Sequence, residues 1–169
     1  TYQIETWVSD VNRLMSTRNF ILYDMQGSII GKACTNWSMI DFKTRLPLDL
    51  RNIGQYQAAI IPQDPPIERP AKITNINGTV TESHLIRYSD IDFNQHTNSM
   101  KYVQWMVDML PLKKFTDQRL CRLDINFLHE TRYGQLVQIV MENDDNFDKF
   151  EIKLADTGVA TCKASLRWM

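Results

Sequence analysis

Apolar residues recur along this sequence with two periods, and the changes between them outline the predicted elements. Aromatic and β-branched residues dominate eight stretches, which favours strands. These stretches are residues 2–8, 20–25, 29–39, 79–88, 118–131, 135–142, 149–155 and 159–168. Only between the fourth and fifth stretches does a helical period replace the strand pattern, so an α+β fold with mainly antiparallel strands is predicted.

The predicted helix begins near Met100. Apolar residues continue at positions 103, 106, 107 and 110, which places them on one face of a helix. Thr97 or Asn98 is a plausible N-cap, because a side-chain oxygen there can accept from the first helical amides. Pro111 ends the pattern.

An internal repeat divides the chain. Residues 27–37 and 158–168 both read G-x-x-x-x-K-A-x-x-x-W, at a constant offset of 131 positions. We therefore predict that residues 1–50 are the C-terminal strands of a first repeat and that residues 78–169 are a complete second repeat. The proline-rich residues 51–77 are the predicted connector. By the same offset, the helix of the first repeat would precede Thr1, about 50 residues of that repeat being absent.

Charge and cysteine content narrow the classes of function. The 19 basic and 20 acidic residues give a net charge of -1, which disfavours nucleic acid and anionic membranes as partners. Three cysteines without a C-x-x-C pair predict neither a disulfide framework nor a thiolate zinc site, and favour a reducing, cytoplasmic compartment. No apolar run reaches the roughly 18 residues of a membrane span.

Polar groups are concentrated just before the predicted helix, in the sequence R-Y-S-D-I-D-F-N-Q-H-T-N of residues 87–98. Asp90, Asp92, Asn94 and His96 occupy alternate positions. Fully extended, the four would span roughly 20 Å, too far to meet at one reacting atom, so we expect this segment to bend. His96 beside a helix start, with carboxylates nearby, is a candidate acid, base or hydrogen-bond donor.

This segment has two other interpretations. A calcium loop is excluded because Gln95 stands where a glycine is needed and Lys101 where a bidentate glutamate is needed. Asx-turns and helix capping by the aspartates and asparagine are about as plausible as chemistry on pattern alone.

The remaining titratable residues give weaker signals. His84 lies in a strand and is expected at a surface or edge, and the cysteines are expected to be packing residues. Strand alternation points His129 to the core and Glu130 to the polar side, but a bulge at the strand end would reverse this. The pattern alone does not choose between them.

These residues resemble a known family, the acyl-acyl carrier protein (acyl-ACP) thioesterases, which are tandem hot-dog proteins. The resemblance lies in residues 87–105 and in I-N-F-L-H-E-T-R-Y-G at residues 125–134, with support from I-E-T-W at residue 4 and W-S-M-I-D at residue 37. It implies two hot-dog folds, each a long helix wrapped by an antiparallel sheet, with the first repeat incomplete here. It also implies release of fatty acids from acyl-ACP.

The resemblance implies a catalytic set of Asp92, Asn94, His96 and Glu130. It therefore favours Glu130 over His129, a choice that strand alternation left open. Plant members place a cysteine directly after this glutamate, whereas this chain has Thr131, as in the bacterial branch. Hydrolysis by carboxylate-activated water is therefore expected, with backbone amides at the helix start as oxyanion donors. Neither a cofactor nor a metal is implied.

The implied partner is the acyl carrier protein, which presents the acyl chain on a phosphopantetheine arm. Carrier proteins are typically acidic, so a basic docking patch is expected, with Lys113, Lys114, Arg119 and Arg122 as candidates. A solvated charged face would explain these four residues equally well. Oligomeric state is left open, a homodimer of tandem hot dogs being one arrangement. Three alternative functions also remain: an acyl-CoA thioesterase, a non-catalytic acyl-thioester sensor, and a hot-dog dehydratase.

Overall fold

The computed structural model of the chain describes residues 1–44, 46–144 and 146–169, which form two compact units, Thr1–Pro70 and Ala71–Met169. The first unit holds β1 (Gln3–Val11), β2 (Ser16–Tyr23) and β3 (Ile29–Trp37), paired antiparallel in the order β1-β2-β3. A 3-10 turn (Leu50–Asn52) and a short helix α1 (Gly54–Ala58) follow. These short helices fall in the predicted connector, whose prolines favoured an extended backbone.

The second unit contains β4 (Thr79–Leu85), a 3-10 turn (Tyr88–Asp90), α2 (Ser99–Asp108) and α3 (Leu112–Asp117). Four strands complete it: β5 (Leu120–Phe127), β6 (Leu136–Asn143), β7 (Phe147–Leu154) and β8 (Ala160–Trp168). All five strands form one antiparallel sheet in the order β4-β6-β7-β8-β5. The predicted strand, helix and four strands are confirmed, and α3 is an addition between the predicted helix, which was expected to end near Pro111, and the strand predicted from residue 118.

One helix against one face of a sheet forms the core of the second unit. Tyr102, Trp105 and Met106 of α2 are buried against inward-facing residues of β6, β7 and β8, such as Phe150 and Ile152. Of the predicted stripe, Met106 and Leu110 are buried in this core but Met100 is 65% exposed, so the buried face of the amphipathic helix is shifted toward Tyr102 and Trp105. No helix among residues 1–44, 46–144 and 146–169 is long and apolar enough to cross a membrane.

The two copies of the repeated sequence occupy equivalent places. Each lies on the strand that closes a hairpin, β3 or β8, and each begins at a glycine with positive φ, Gly27 at 80° and Gly158 at 70°. A residue with a side chain rarely adopts this backbone conformation, which explains the shared glycine. The two copies differ in burial. Trp37 is 59% exposed, whereas Trp168 is 3% exposed and its ring packs edge-on against Phe115 of α3.

Candidate active site

The polar segment ahead of α2 folds into a tight loop, so the predicted bend is present. The Asp92 N–H donates to the His96 carbonyl at 2.8 Å, closing the loop. One oxygen of the Asp92 carboxylate accepts from the amides of Asn94 (2.9 Å) and His96 (3.2 Å). Gln95 takes a φ of 65°, an uncommon conformation for a residue with a side chain, which the loop imposes. Asp92 thus shapes the loop through an Asx-turn and holds His96 in place.

His96 and Glu130 meet across this unit. The His96 Nε2 and a Glu130 carboxylate oxygen are 3.2 Å apart, and the side chains are 23% and 43% exposed, respectively. Residues 34 positions apart in sequence are brought together because the loop and the end of β5 lie side by side, the Thr97 N–H donating to the Thr131 carbonyl at 2.8 Å. An imidazole and a carboxylate in this contact form an acid–base pair accessible to a small molecule.

A bulge explains why Glu130 reaches His96. Beyond β5, the amides of Leu128 and His129 both donate to the single carbonyl of Thr161, at 2.8 and 3.1 Å. Two residues facing one is the signature of a β-bulge, which interrupts strand alternation. The sequence allowed such a bulge without locating it, and its presence lets Glu130 turn toward the loop.

A pocket of about 240 Å³ opens beside this pair. Its walls comprise His96, Thr97, Ser99, Tyr102, Phe127, Leu128, His129 and Glu130. Of the four predicted site residues, His96 and Glu130 line the pocket, Asp92 supports the loop behind it, and the Asn94 side chain is exposed outside this set. The apolar part of the wall, with Phe127 packed edge-on against Tyr102, suits a hydrocarbon chain beside a polar reacting group.

The start of α2 offers one backbone donor to this pocket. The amides of four residues here donate within the protein at 2.8 or 2.9 Å: Thr97, Asn98, Met100 and Lys101. Asn98 is the N-cap, as predicted, and its side chain accepts from Met100. The amide of Ser99, the first helical residue, has no acceptor among the residues that the structure describes, and Ser99 lines the pocket at the positive end of the helix dipole.

Thr131 is a buried structural residue. It has no exposed surface, and its hydroxyl lies 2.7 Å from both the Thr97 hydroxyl and the Tyr102 phenol oxygen. Burial raises the pKa of Tyr102, against the hydrogen bond with Thr131, which lowers it. A hydroxyl enclosed in this network is unsuited to attack on a substrate. The cysteines also lie outside the pocket wall, and burial raises the pKa of Cys162 to about 12.

A second histidine–carboxylate pair was missed by the sequence reasoning. The Asp90 side chain is 6% exposed and accepts from the Arg87 amide at 2.8 Å and from His84 Nε2 at 3.1 Å, with Lys101 Nζ at 3.7 Å. Burial alone would raise the pKa of Asp90, but the Arg87 amide and His84 outweigh it and lower the pKa. The His84 ring also packs on Trp105, with ring centroids 4.3 Å apart. His84 was expected at an edge, and its six-residue spacing from Asp90 was the available signal.

Two of the four residues predicted for carrier docking, Lys114 and Arg122, form ion pairs with aspartates of the same unit. Lys114 lies 2.7 Å from the buried carboxylate of Asp148, with only 15% of its side chain exposed. Arg122 forms an ion pair with Asp124 at 2.6 Å, with 18% of its side chain exposed. Because both side chains are mostly buried and paired with aspartates, they are less available to a partner than the sequence pattern indicated. Among residues 1–44, 46–144 and 146–169, no cluster of three histidines, cysteines or acids is arranged to hold a metal.

A helix packed on an antiparallel sheet, with an acid–base pair at the amino end of that helix, defines the second unit as a hot-dog fold with a candidate active site. Family models make the assignment specific. The model of the acyl-ACP thioesterase C-terminal domain matches residues 74–169, and that of the N-terminal domain matches residues 1–52. The chain belongs to the acyl-ACP thioesterase family.

Individual relatives agree with this assignment. An acyl-acyl carrier protein hydrolase of Cuphea viscosissima is 27% identical over 153 residues, covering 85% of this chain and 37% of the relative. A crystal structure of an acyl-ACP thioesterase from Bacteroides thetaiotaomicron is 28% identical, with a TM-score of 0.90, over 99% of this chain and 68% of that one. The 12:0-ACP thioesterase of Umbellularia californica, 20% identical with a TM-score of 0.83 over 99% of this chain and 67% of that one, shares the fold. The chain spans about a third to a half of the length of the curated relatives it matches.

Proposed function

We propose that this protein hydrolyses the thioester of fatty acyl-ACP, releasing a free fatty acid and the carrier thiol. The observation that carries the proposal is the contact between His96 and Glu130 at the mouth of a partly apolar pocket. The family assignment supplies the substrate class, because the matched relatives are named as acyl-ACP hydrolases or thioesterases.

In the proposed mechanism Glu130 is the general base. Its carboxylate removes a proton from a water molecule, and the resulting hydroxide attacks the thioester carbonyl carbon. His96 holds the Glu130 carboxylate and the water in line, and Asp92 keeps His96 in position through its backbone. Asn94 is proposed to contact the carbonyl from the exposed side of the loop.

Negative charge then develops on the carbonyl oxygen. The Ser99 amide at the start of α2 is placed to donate to this oxyanion, and the helix dipole stabilises it further. Collapse of the tetrahedral intermediate breaks the carbon–sulfur bond. The leaving thiol has a pKa of about 8.5, so the thiolate departs without a strong acid and takes a proton from Glu130.

The carrier and compartment are also proposals. The acyl carrier protein is preferred over coenzyme A because every family match concerns acyl-ACP enzymes. A reducing, cytoplasmic compartment is supported by three free cysteines, two of them buried.

Thiol release from acyl-ACP and from acyl-CoA carrying the same acyl chain tests the proposal. We expect turnover on both, with the larger kcat/KM on acyl-ACP, and we expect His96→Ala to lower kcat by about 10²- to 10⁴-fold. Phe93→Ala, in the same loop with a 93% exposed side chain, is the matched control and should retain activity. Binding of acyl thioesters without any thiol release would instead identify a sensor or binding module.

A further inference from the structure

A small closed loop, residues 91–97, carries His96 to the pocket. The neck of this loop is closed by the Asn98 N–H, which donates to the Asp90 carbonyl at 2.8 Å, and by an antiparallel bridge between Ile91 and Thr97. A compact loop whose two ends are joined moves as one piece. The position of His96 therefore depends on the contacts that hold the neck.

One side of the neck is held next to Glu130. The Thr97 N–H donates to the Thr131 carbonyl at 2.8 Å, and the two threonine hydroxyls lie 2.7 Å apart. Thr97 directly follows His96, and Thr131 directly follows Glu130. This contact sets the distance between the two segments, but on its own it would let the loop tilt about Thr97.

The carboxylate of Asp90 holds the other side of the neck. It is 6% exposed, and its Oδ2 accepts from the Arg87 amide at 2.8 Å and from His84 Nε2 at 3.1 Å, while its Oδ1 faces Lys101 Nζ at 3.7 Å. A buried carboxylate with donors at both oxygens is strongly held in one orientation, because turning away would leave a buried charge without partners. Asp90 therefore ties the neck to β4 through His84 and to α2 through Lys101.

His84 is itself packed on α2. Its ring lies on Trp105, with ring centroids 4.3 Å apart, and Trp105 is four residues after Lys101, so both face the same side of the helix. The pair of His84 and Asp90 thus contacts α2 at two successive turns. Because the N-cap of α2 also closes the neck of the loop, this pair sets the start of the helix, and with it Ser99, together with the loop.

We propose that His84 and Asp90 are positioning residues for the reaction, which hold the loop and the start of α2 so that His96 meets Glu130 and the Ser99 amide meets the carbonyl oxygen. This inference rests on the proposed function and assigns to it two residues outside the set that lines the pocket. Both act through the groups that they hold in place. Turnover is sensitive to such support, because a displacement of about 1 Å at the reacting groups can cost about 100-fold in rate.

Asp90→Asn and Asp148→Asn, made in the full chain, separate positioning from stability. Asparagine offers one acceptor oxygen in place of two and carries no charge. Asp148 is the matched control, because its carboxylate is also buried and contacts Lys114 Nζ at 2.7 Å and Trp168 Nε1 at 2.6 Å, away from the pocket wall. We expect Asp90→Asn to lower kcat for thiol release from acyl-ACP by about 10- to 100-fold, with KM within about twofold. Asp148→Asn should leave both values unchanged when rates are expressed per folded molecule.

Two substitutions at His84 separate its hydrogen bond from its ring packing. His84→Phe keeps a ring on Trp105 but removes the donor to Asp90. His84→Gln keeps a donor, since the glutamine amide nitrogen is as many bonds from Cβ as the histidine Nε2. We expect His84→Phe to lower kcat by about tenfold and His84→Gln to stay within about threefold of the unaltered protein. These variants keep the buried carboxylate and so test the pair even if Asp90→Asn fails to fold.

The NMR ring signals of His96 add a readout that does not depend on turnover, and with three histidines in the chain they are readily assigned. They should shift in Asp90→Asn and stay in place in Asp148→Asn. Equal losses of kcat in these two variants, or full kcat in His84→Phe, would overturn the positioning role while leaving hydrolysis intact. If the unaltered protein released no thiol, the proposed function would fail, and unshifted His96 signals in Asp90→Asn would separately show that the pair does not position this residue.

Discussion

At the scale of single residues, the segment that carries Glu130 is held in place by the next residue, Thr131. Thr131 directly follows Glu130 and is buried in a hydroxyl network with Thr97 and Tyr102. This network ties the segment that carries Glu130 to both the loop and α2. Thr131 is therefore a structural support for the segment that carries the proposed base, Glu130.

Removing the Thr131 hydroxyl should destabilise the protein. Thr131→Val keeps the shape but leaves the buried hydroxyls of Thr97 and Tyr102 short of a partner, so we expect the free energy of unfolding to fall by about 1–3 kcal/mol. Urea unfolding measures this change. Thr81→Val, at an exposed position of β4, should change it by less than about 0.5 kcal/mol. If both substitutions lowered the free energy of unfolding equally, the buried hydroxyl network around Thr131 would contribute no more to stability than the exposed hydroxyl of Thr81.

At the scale of elements, the buried carboxylate of Asp90 connects the parts that form the site. Its side chain joins His84 of β4, the Arg87 amide and Lys101 of α2, and its carbonyl accepts from the Asn98 N-cap at 2.8 Å. The sequence alone predicted the start of α2 and its N-cap, since both depend on local chemistry. It did not predict α3, because the six residues of this helix hold only two apolar residues, Leu112 and Phe115, which are too few to show a helical period.

Because the pKa of Asp90 is lowered in the folded protein, its ionised form stabilises the fold. This stabilisation is present above the unfolded pKa of about 3.9 and is lost as the pH falls through the lower folded pKa. Asp90→Asn should therefore lower the free energy of unfolding by about 2 kcal/mol at neutral pH, and by progressively less below pH about 4. Urea unfolding across this pH range checks the prediction.

Asp108→Asn is the control for this experiment, because it removes a negative charge from an exposed position of the same unit. It should leave the stability nearly unchanged at each pH. A destabilisation by Asp90→Asn that is the same at acid and neutral pH would contradict a role for the ionised carboxylate.

At the scale of the whole molecule, the order of elements was readable from the sequence, and the α+β fold that it predicted is confirmed. The hot-dog fold, which the family resemblance implied, is confirmed as well. Contacts between distant segments were not readable. His96 and Glu130 meet beside a bulge opposite Thr161, and strand alternation did not choose between Glu130 and the neighbouring His129. The sequence also did not show that Lys114 and Arg122 form ion pairs with Asp148 and Asp124. The assignment of Glu130 thus came from family resemblance, and the structure supplies the contact that gives it a chemical basis.

The most direct test of the account is the rate of thiol release from acyl-ACP by Glu130→Gln, measured beside Glu142→Gln. Glutamine keeps the size of the side chain and its hydrogen bonding but cannot accept the proton of water, so kcat should fall by about 10²- to 10⁴-fold with KM little changed. Glu142, which pairs with Lys149 on β6 and β7 away from the pocket wall, should tolerate the same change. A Glu130→Gln variant that releases thiol as fast as the unaltered protein would contradict the central claim that Glu130 activates water.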